Sequence, residues 1–420
     1  MVVMRGRAAS LLVLGTALLM GPTAAAKNRL VTVHYATPGA LRGLDVARRV
    51  PQLGVAEVVT GDLGALRARP GIAWAQPTVP RRHLGGAPVL LGAAGGDWEY
   101  AATRADLVPT QVRRAAARIT IAVVDTGADV TAPDIAAKRP ITYSAVSGSS
   151  VVTDTIGHGT FVSSLAAGAA TKGIFAGFGG AARLMVVQAN SDANDFTDAT
   201  EAAGIVWAVD HGAKIINLSL GGPDTSQVEQ AAIAYATQHG VLLVAAAGNG
   251  GQDGDVVTYP AALLGTNGLA VGASTSNGLR ASFSTAAPYV SLLAPGVSVL
   301  GSLSSTAPAS AYPRADVGEA GGLFGYGSGT SYAAPQVAGA AALVWSAKPS
   351  LTATQVVQIL ERTASGRGVW TAASGYGVLD VAAAVAAAQG RPSPTTSSSV
   401  TVQPVEPAGP APTVRVALVR

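Results

Sequence analysis

Four polar residues, each set among small residues, could do chemistry together. Asp125 closes an apolar run in Val124-Asp125-Thr126-Gly127, and His158 lies in Gly157-His158-Gly159-Thr160. Asn249 follows a second apolar run in Ala247-Gly248-Asn249-Gly250, and Ser331 lies in Gly329-Thr330-Ser331-Tyr332-Ala333-Ala334-Pro335. A serine hydroxyl attacks a carbonyl only when a base takes its proton. The base needs a carboxylate to fix its tautomer, and the oxyanion that forms needs hydrogen-bond donors. Taken singly, each residue has a plainer explanation. An aspartate after a strand, an asparagine beside glycine and a serine before a helix are ordinary turn and cap residues. Together, in one chain, they are the parts that acyl transfer through Ser331 requires. The remaining histidines, His34, His83, His211 and His239, have no comparable setting.

The elements that must hold these groups can be read from periodicity. Residues 119–124, 183–189, 214–220, 241–247 and 268–273 are short, nearly continuous apolar runs that read as strands. They alternate with helical patterns at 158–170, 198–211 and 227–239, and helices over 352–363 and 379–389 close the region. Strands apolar throughout and joined by helices imply a doubly wound, mostly parallel α/β sheet with helices on both faces. Functional groups in such sheets gather at the carboxyl ends of the strands, where Asp125 and Asn249 fall. Ser331 stands between the Gly-rich run 321–329 and an apolar stretch, 333–345, that reads as a buried helix. The free N–H groups and positive end of that helix would favour an anion beside it. Pro335 removes one N–H early in the helix, which predicts a local irregularity.

The flanks have a different character. Residues 1–26 carry Arg5 and Arg7, an apolar run and then small residues ending at Ala26, the pattern of a secretory signal peptide. Residues 27–96 read as a small α+β unit: strands near 30–35, 55–59 and 72–74, helices over 38–50 and 62–69, and an exposed linker over 77–96. A removable pro-segment suits its position between export signal and catalytic body. Residues 97–390 are the catalytic body, and the Pro-, Ser- and Thr-rich stretch 391–420 reads as an extended tail whose end, 414–419, could add a strand to an edge. The chain is 49% hydrophobic and 12% charged, which suits a compact core, and its 0 cysteines exclude disulfides and thiol chemistry. A net charge of +4 from scattered residues marks no nucleic-acid site. The pattern predicts a secreted protein with no stable membrane anchor once the signal is removed.

From about residue 97 to 389 the chain resembles the subtilisin-like serine proteases, the subtilase family. The resemblance rests on the four motifs above and on Asn217-Leu218-Ser219-Leu220-Gly221-Gly222. It implies that Asp125 orients His158, that His158 serves as general base and then general acid, and that Ser331 attacks a peptide carbonyl. The Asn249 amide and the Ser331 N–H would bind the oxyanion. Ser219, Leu220 and Gly221 match the strand that pairs with an extended polypeptide substrate, with Gly248 beside it. Gly250 and Thr258 fall at the floor of the primary specificity pocket, and the lack of a carboxylate at either predicts an apolar or small side chain before the scissile bond. The unit 27–96 resembles the family's inhibitory pro-domain, acting on its own chain, with self-processing inside the 77–96 linker. The chemistry requires no cofactor. A structural calcium is left open, with Asp134 as the matching ligand and Thr171 and Lys172 where partner oxygens are expected. Three departures, Phe161, Tyr332 and Gln336, change packing around the site rather than its chemistry. A catalytically silent binding protein and a peptide ligase on the same scaffold are the alternatives.

Overall fold

The computed structural model describes residues 28–85, 98–171, 173, 176–190, 196–315 and 324–394. Residues 1–26, expected to be a signal peptide, the expected linker beyond Gly85, Lys172 and nearly all of the expected tail, including 414–419, lie outside the described residues. In chain order the strands are β1 (Arg29–Tyr35), β2 (Asp45–Val50), β3 (Val55–Thr60), β4 (Ile72–Pro77), β5 (Pro80–His83), β6 (Thr120–Asp125), β7 (Ile141–Ser144) and β8 (Arg183–Gln188). They continue as β9 (Phe196–Thr197), β10 (Ile215–Leu218), β11 (Leu220–Gly221), β12 (Leu242–Ala246), β13 (Gly268–Ser274), β14 (Leu292–Pro295), β15 (Val299–Ser302) and β16 (Phe324–Gly327). The helices are α1 (Leu63–Arg67), α2 (Trp98–Ala102), α3 (Thr110–Ala115), α4 (Pro133–Ala136), α5 (His158–Ala167), α6 (Asp198–Asp210), α7 (Gln227–Gln238), α8 (Thr330–Ala347), α9 (Ala353–Thr363) and α10 (Val381–Ala388).

A seven-stranded sheet in the order β14-β13-β12-β10-β6-β8-β7 forms the body. Every neighbouring pair in it is parallel. Side chains along a strand alternate between faces, so an all-apolar strand feeds two cores at once. Ile121, Val123, Leu242 and Val244 pack with α5, α8, α9 and α10 on one face. Ala122, Val124, Leu243 and Ala245 pack with α6 and α7 on the other. The predicted interior strands are all present, and the edge strands β7 and β14 complete the sheet.

The N-terminal unit differs from its expected form. Its sheet runs β2-β3-β1-β4, with β3 antiparallel to both β1 and β2, and β1 antiparallel to β4. The helix predicted over 38–50 is instead a single 3-10 turn, Pro38–Leu41, followed by strand β2. Gly43 has φ +71°, a left-handed conformation that ends the turn, and residues 45–50 then alternate in exposure against β3. The unit rests on α6 and α7: Val50 and Val55 join their apolar cluster, and Gln52 Nε2 donates to Asp210 Oδ2 at 2.8 Å.

The exposed linker is corrected as well. Strand β5 is the middle member of a three-stranded sheet, β11-β5-β9, and Arg81 within it is buried. Residues 80–85 therefore run along the body toward the carboxyl ends of β6, β10 and β12.

Candidate active site

Asp125 is the last residue of β6, so its side chain emerges at the rim of the sheet. Its Oδ1 lies 2.7 Å from His158 Nδ1 and also accepts the Thr126 N–H at 2.7 Å. His158 opens α5 after Gly157, and both side chains are fully buried. A buried carboxylate beside Nδ1 keeps the proton there and leaves Nε2 free to act as base. Nε2 has no hydrogen-bond partner. Asp154, which sequence reasoning missed, fixes the start of α5. Its Oδ1 accepts from Thr126 Oγ1 at 2.9 Å and Gly157 N at 2.8 Å, and its Oδ2 from Thr160 N at 2.8 Å and Thr160 Oγ1 at 2.6 Å. Burial pushes its carboxyl above the usual range, and these four donors oppose that shift. Its signal was an acidic residue four places before the histidine, indistinguishable in sequence from a solvated loop aspartate.

Ser331 is the second residue of α8. Its hydroxyl donates to the Ser219 carbonyl at 2.9 Å, and Ser219 Oγ donates back to the Ser331 carbonyl at 2.8 Å. That second bond accounts for Pro335. With no N–H at position 335, the carbonyl four residues earlier loses its helical partner, and the Ser219 hydroxyl replaces it. Asn217 Nδ2 in turn donates to Ser219 Oγ at 2.9 Å. Gln336 Nε2 closes the same turn on Tyr332 O and Pro295 O at 2.8 and 2.7 Å.

Asn249 follows β12 and is oriented by Thr330, whose N–H and Oγ1 donate to Asn249 Oδ1 at 3.0 and 2.9 Å. Its Nδ2 therefore faces the groove. There it donates to the carbonyl of Leu84 at 2.6 Å, and the Ser331 N–H points to the same oxygen at 3.4 Å. Gly329, at φ +150°, is required here: a Cβ would stand 2.6 Å from that carbonyl. Two donors thus converge on one carbonyl of the chain's own 81–85 segment.

The rest of that segment lies as an added strand. Leu84 N donates to Ser219 O at 3.1 Å, and His83 and Arg82 pair antiparallel with Leu220 and Gly221. Leu84 lines one pocket with Gly221, Asn249, Gly250, Val256 and Thr258, and a Cβ on Gly221 would stand 3.3 Å from Leu84 Cδ1. Gly248 allows close approach, since a Cβ there would meet Thr258 Oγ1 at 2.2 Å. Past Leu84, a Cβ on Gly85 would lie 2.5 Å from the Tyr332 hydroxyl and 3.0 Å from His158 Nε2, so only glycine fits. Tyr332 packs at a tilt between His158 and Phe161, and Tyr312, which lies between β15 and β16, stacks on Phe161. Beyond β15, Ser304 Oγ and Thr306 Oγ1 donate to the Asp154 carbonyl.

Asp134 lies elsewhere, buried in α4. Its Oδ1 accepts from Thr171 N and Thr171 Oγ1, and its Oδ2 from Ser302 Oγ at 2.8 Å. Both oxygens are already met by donors, whereas calcium needs six to eight oxygen ligands. Among the described residues no group of three or more His, Cys, Asp or Glu could hold a metal ion. The residues at Asp134 do not fit a calcium site.

The parallel sheet, the serine at a helix N-terminus and the convergent donors define a serine hydrolase of the α/β class. Residues 116–377 match the model described as "Subtilase family", and the chain belongs to that family. Subtilisin DY of Bacillus licheniformis is 36% identical over 266 residues, 63% of this chain and 90% of that one. Subtilisin E of Bacillus subtilis strain 168 is 34% identical over 250 residues, 60% of this chain and 61% of that one. The crystal structure of fervidolysin from Fervidobacterium pennivorans, titled a keratinolytic enzyme related to subtilisin, superposes with a TM-score of 0.73 at 25% identity, over 88% of this chain and 62% of that one. The chain is a subtilisin-like serine endopeptidase.

Two predictions follow from the geometry around His158. Asp154→Ala strands buried donors at Gly157, Thr160 and Thr126 and should cost at least about 2 kcal/mol of stability. Turnover should fall more than KM, because Asp154 positions α5 without lying in the groove. Unfolding on a Ser331→Ala background and kinetics on the active form check both halves.

The second concerns His83, whose ring lies 4.6 Å from that of His158. Burial first, and the neighbouring His158 second, push its pKa down from 6.5 to about 4, against a smaller opposing pull from Asp125. A released segment takes up this proton below about 6.5, and the seated segment only below about 4. Docking of 81–85 should therefore weaken as pH falls through that window, by up to about tenfold per pH unit. Hydrogen exchange of the β5 amides in the Ser331→Ala chain reads this out. The slope should be shallower in His83→Gln, and equal slopes would disprove the linkage.

Proposed function

We propose that the chain is a secreted zymogen that cleaves itself between Leu84 and Gly85 and afterwards hydrolyses other polypeptides by the same route. The observation that carries this reading is the Leu84 carbonyl, held by Asn249 Nδ2 and facing the Ser331 N–H. Ser331 Oγ turns from Ser219 O toward His158 Nε2, gives up its proton there and attacks the Leu84 carbonyl carbon. Asp125 holds the Nδ1 proton and balances the imidazolium. The oxyanion remains on the Asn249 and Ser331 donors. His158 then passes the proton to the Gly85 nitrogen as the C–N bond breaks, leaving an ester on Ser331. Water, deprotonated by His158, hydrolyses the ester.

The unit 28–84 would then remain as an inhibitor, held by β5 in the groove and by Val50 and Val55 on α6 and α7. The pattern of residues 1–26 supports export, and the Leu84 pocket supports a preference for an apolar residue before the scissile bond.

Wild-type protein should yield, by mass spectrometry, a body that begins at Gly85 and that reacts with a fluorophosphonate probe once the cut 28–84 segment has been removed. Ser331→Ala should stay uncut and unlabelled. Cleavage that persists in Ser331→Ala would remove self-processing. A folded, processed body, freed of the 28–84 segment, that the probe does not label would remove the nucleophile.

A further inference from the structure

Arg81 is the fourth residue upstream of the Leu84–Gly85 bond, and its guanidinium has no solvent exposure. Its Nε and Nη2 donate to Glu229 Oε1 at 3.0 and 2.7 Å, its Nε also to Glu201 Oε2 at 3.3 Å, and its Nη1 to the Pro80 carbonyl at 3.1 Å. Both glutamates belong to the body, on α6 and α7, and both side chains are fully buried. Among the described residues no other lysine or arginine forms an ion pair with either. Glu201 Oε1 is also buried without any hydrogen-bond partner.

Once residues 81–84 leave, two adjacent carboxylates face an empty subsite with no cation of their own. Like charges at this separation repel, and burial makes each costly to ionise alone. Burial first, and Glu229 second, already push the Glu201 carboxyl well above its usual range with the arginine present. Nε reaches both carboxylates while Nη2 adds a second bond to Glu229, a fixed planar set of donors that a lysine's flexible, strongly hydrated ammonium matches less well. Gly222 leaves room for the guanidinium, since a Cβ there would lie 3.1 Å from Pro80 O and 3.5 Å from Arg81 Nη1. Arg82, one residue on, is exposed and makes no such contact.

We propose that Glu201 and Glu229 form an arginine-recognition pocket in the substrate groove, so that the enzyme selects polypeptides carrying arginine three residues ahead of the residue whose carbonyl is attacked. This rests on the peptidase reading above and adds to it the substrate class.

The test uses the processed wild-type enzyme, freed of its 28–84 segment, and internally quenched peptides spanning the sequence of residues 78–87. Replacing the arginine at the position of Arg81 by alanine should lower kcat/KM about 10²-fold, and lysine should recover only part of this. Replacing the arginine at the position of Arg82 should change it less than about threefold, the small effect of an exposed charge. Because the substrate is varied, folding of the enzyme is not at issue. In Glu201→Gln/Glu229→Gln the difference between the arginine and alanine peptides should collapse. A fluorophosphonate-reactive enzyme that cleaves both peptides equally would overturn arginine recognition and leave the peptidase standing. A processed protein neither labelled nor active would overturn the peptidase reading and this proposal with it.

Discussion

The parallel register of the central sheet is the constraint on which the rest depends. Because β6, β10 and β12 run the same way, their carboxyl ends open on one rim, and Asp125, Ser219 and Asn249 emerge within a few residues of those ends. A reversed strand would send its group to the opposite rim, out of reach. The sheet supplies proximity but not orientation. Its strands are apolar, so every polar group at the rim must be aimed by hydrogen bonds from short segments beyond the ladder.

Those segments form a small set of closed exchanges. Ser219 and Ser331 each donate a hydroxyl to the other's carbonyl, so one pair of residues both fixes the groove strand and repairs the helical bond that Pro335 deletes. Thr330 turns the Asn249 amide by occupying its oxygen with two donors. Asp154 gathers four donors from Thr126, Gly157 and Thr160, and so ties the turn after β6 to the start of α5. A histidine on α5 and an aspartate ending β6 thereby share one rigid unit. Buried polar groups this fully satisfied hold geometry, because moving any one leaves a partner bare.

What could be read from the sequence followed from how local its cause was. The body strands announced themselves as apolar runs, and Asp125, His158, Asn249 and Ser331 stood out because small residues flank each. Residues 38–50 were misread because a helix and a turn leading into a strand share their apolar spacing, and the deciding partner, β3, is supplied by tertiary pairing. Residues 80–85 were misread for a stronger reason. Their Pro, Arg and Gly content signals a loop, while the groups that bury Arg81 lie 120 and 148 positions along the chain. Asp134 and Thr171 were paired in the sequence as partners at one site, but Ser302, 168 positions from Asp134, which donates to its other oxygen, was not legible from spacing.

The N-terminal unit and strand β5 grip the same two helices. Val50 and Val55 press on the apolar faces of α6 and α7, while Arg81 enters between Glu201 in the first turn of α6 and Glu229 in the first turn of α7. Carboxylates near helix N-termini are favoured by the helix dipole, so the acids that meet the guanidinium are partly compensated before it arrives. Asp198, at the start of α6, also accepts the Val79 N–H at 3.1 Å and fixes where the strand enters. All of these contacts lie upstream of Leu84. Breaking the Leu84–Gly85 bond would therefore remove none of them, and a segment gripped only on its upstream side stays seated after it has been cut. Substrate and inhibitor would then be one peptide before and after a single bond is broken, and the body would be freed only when the grip on α6 and α7 is lost.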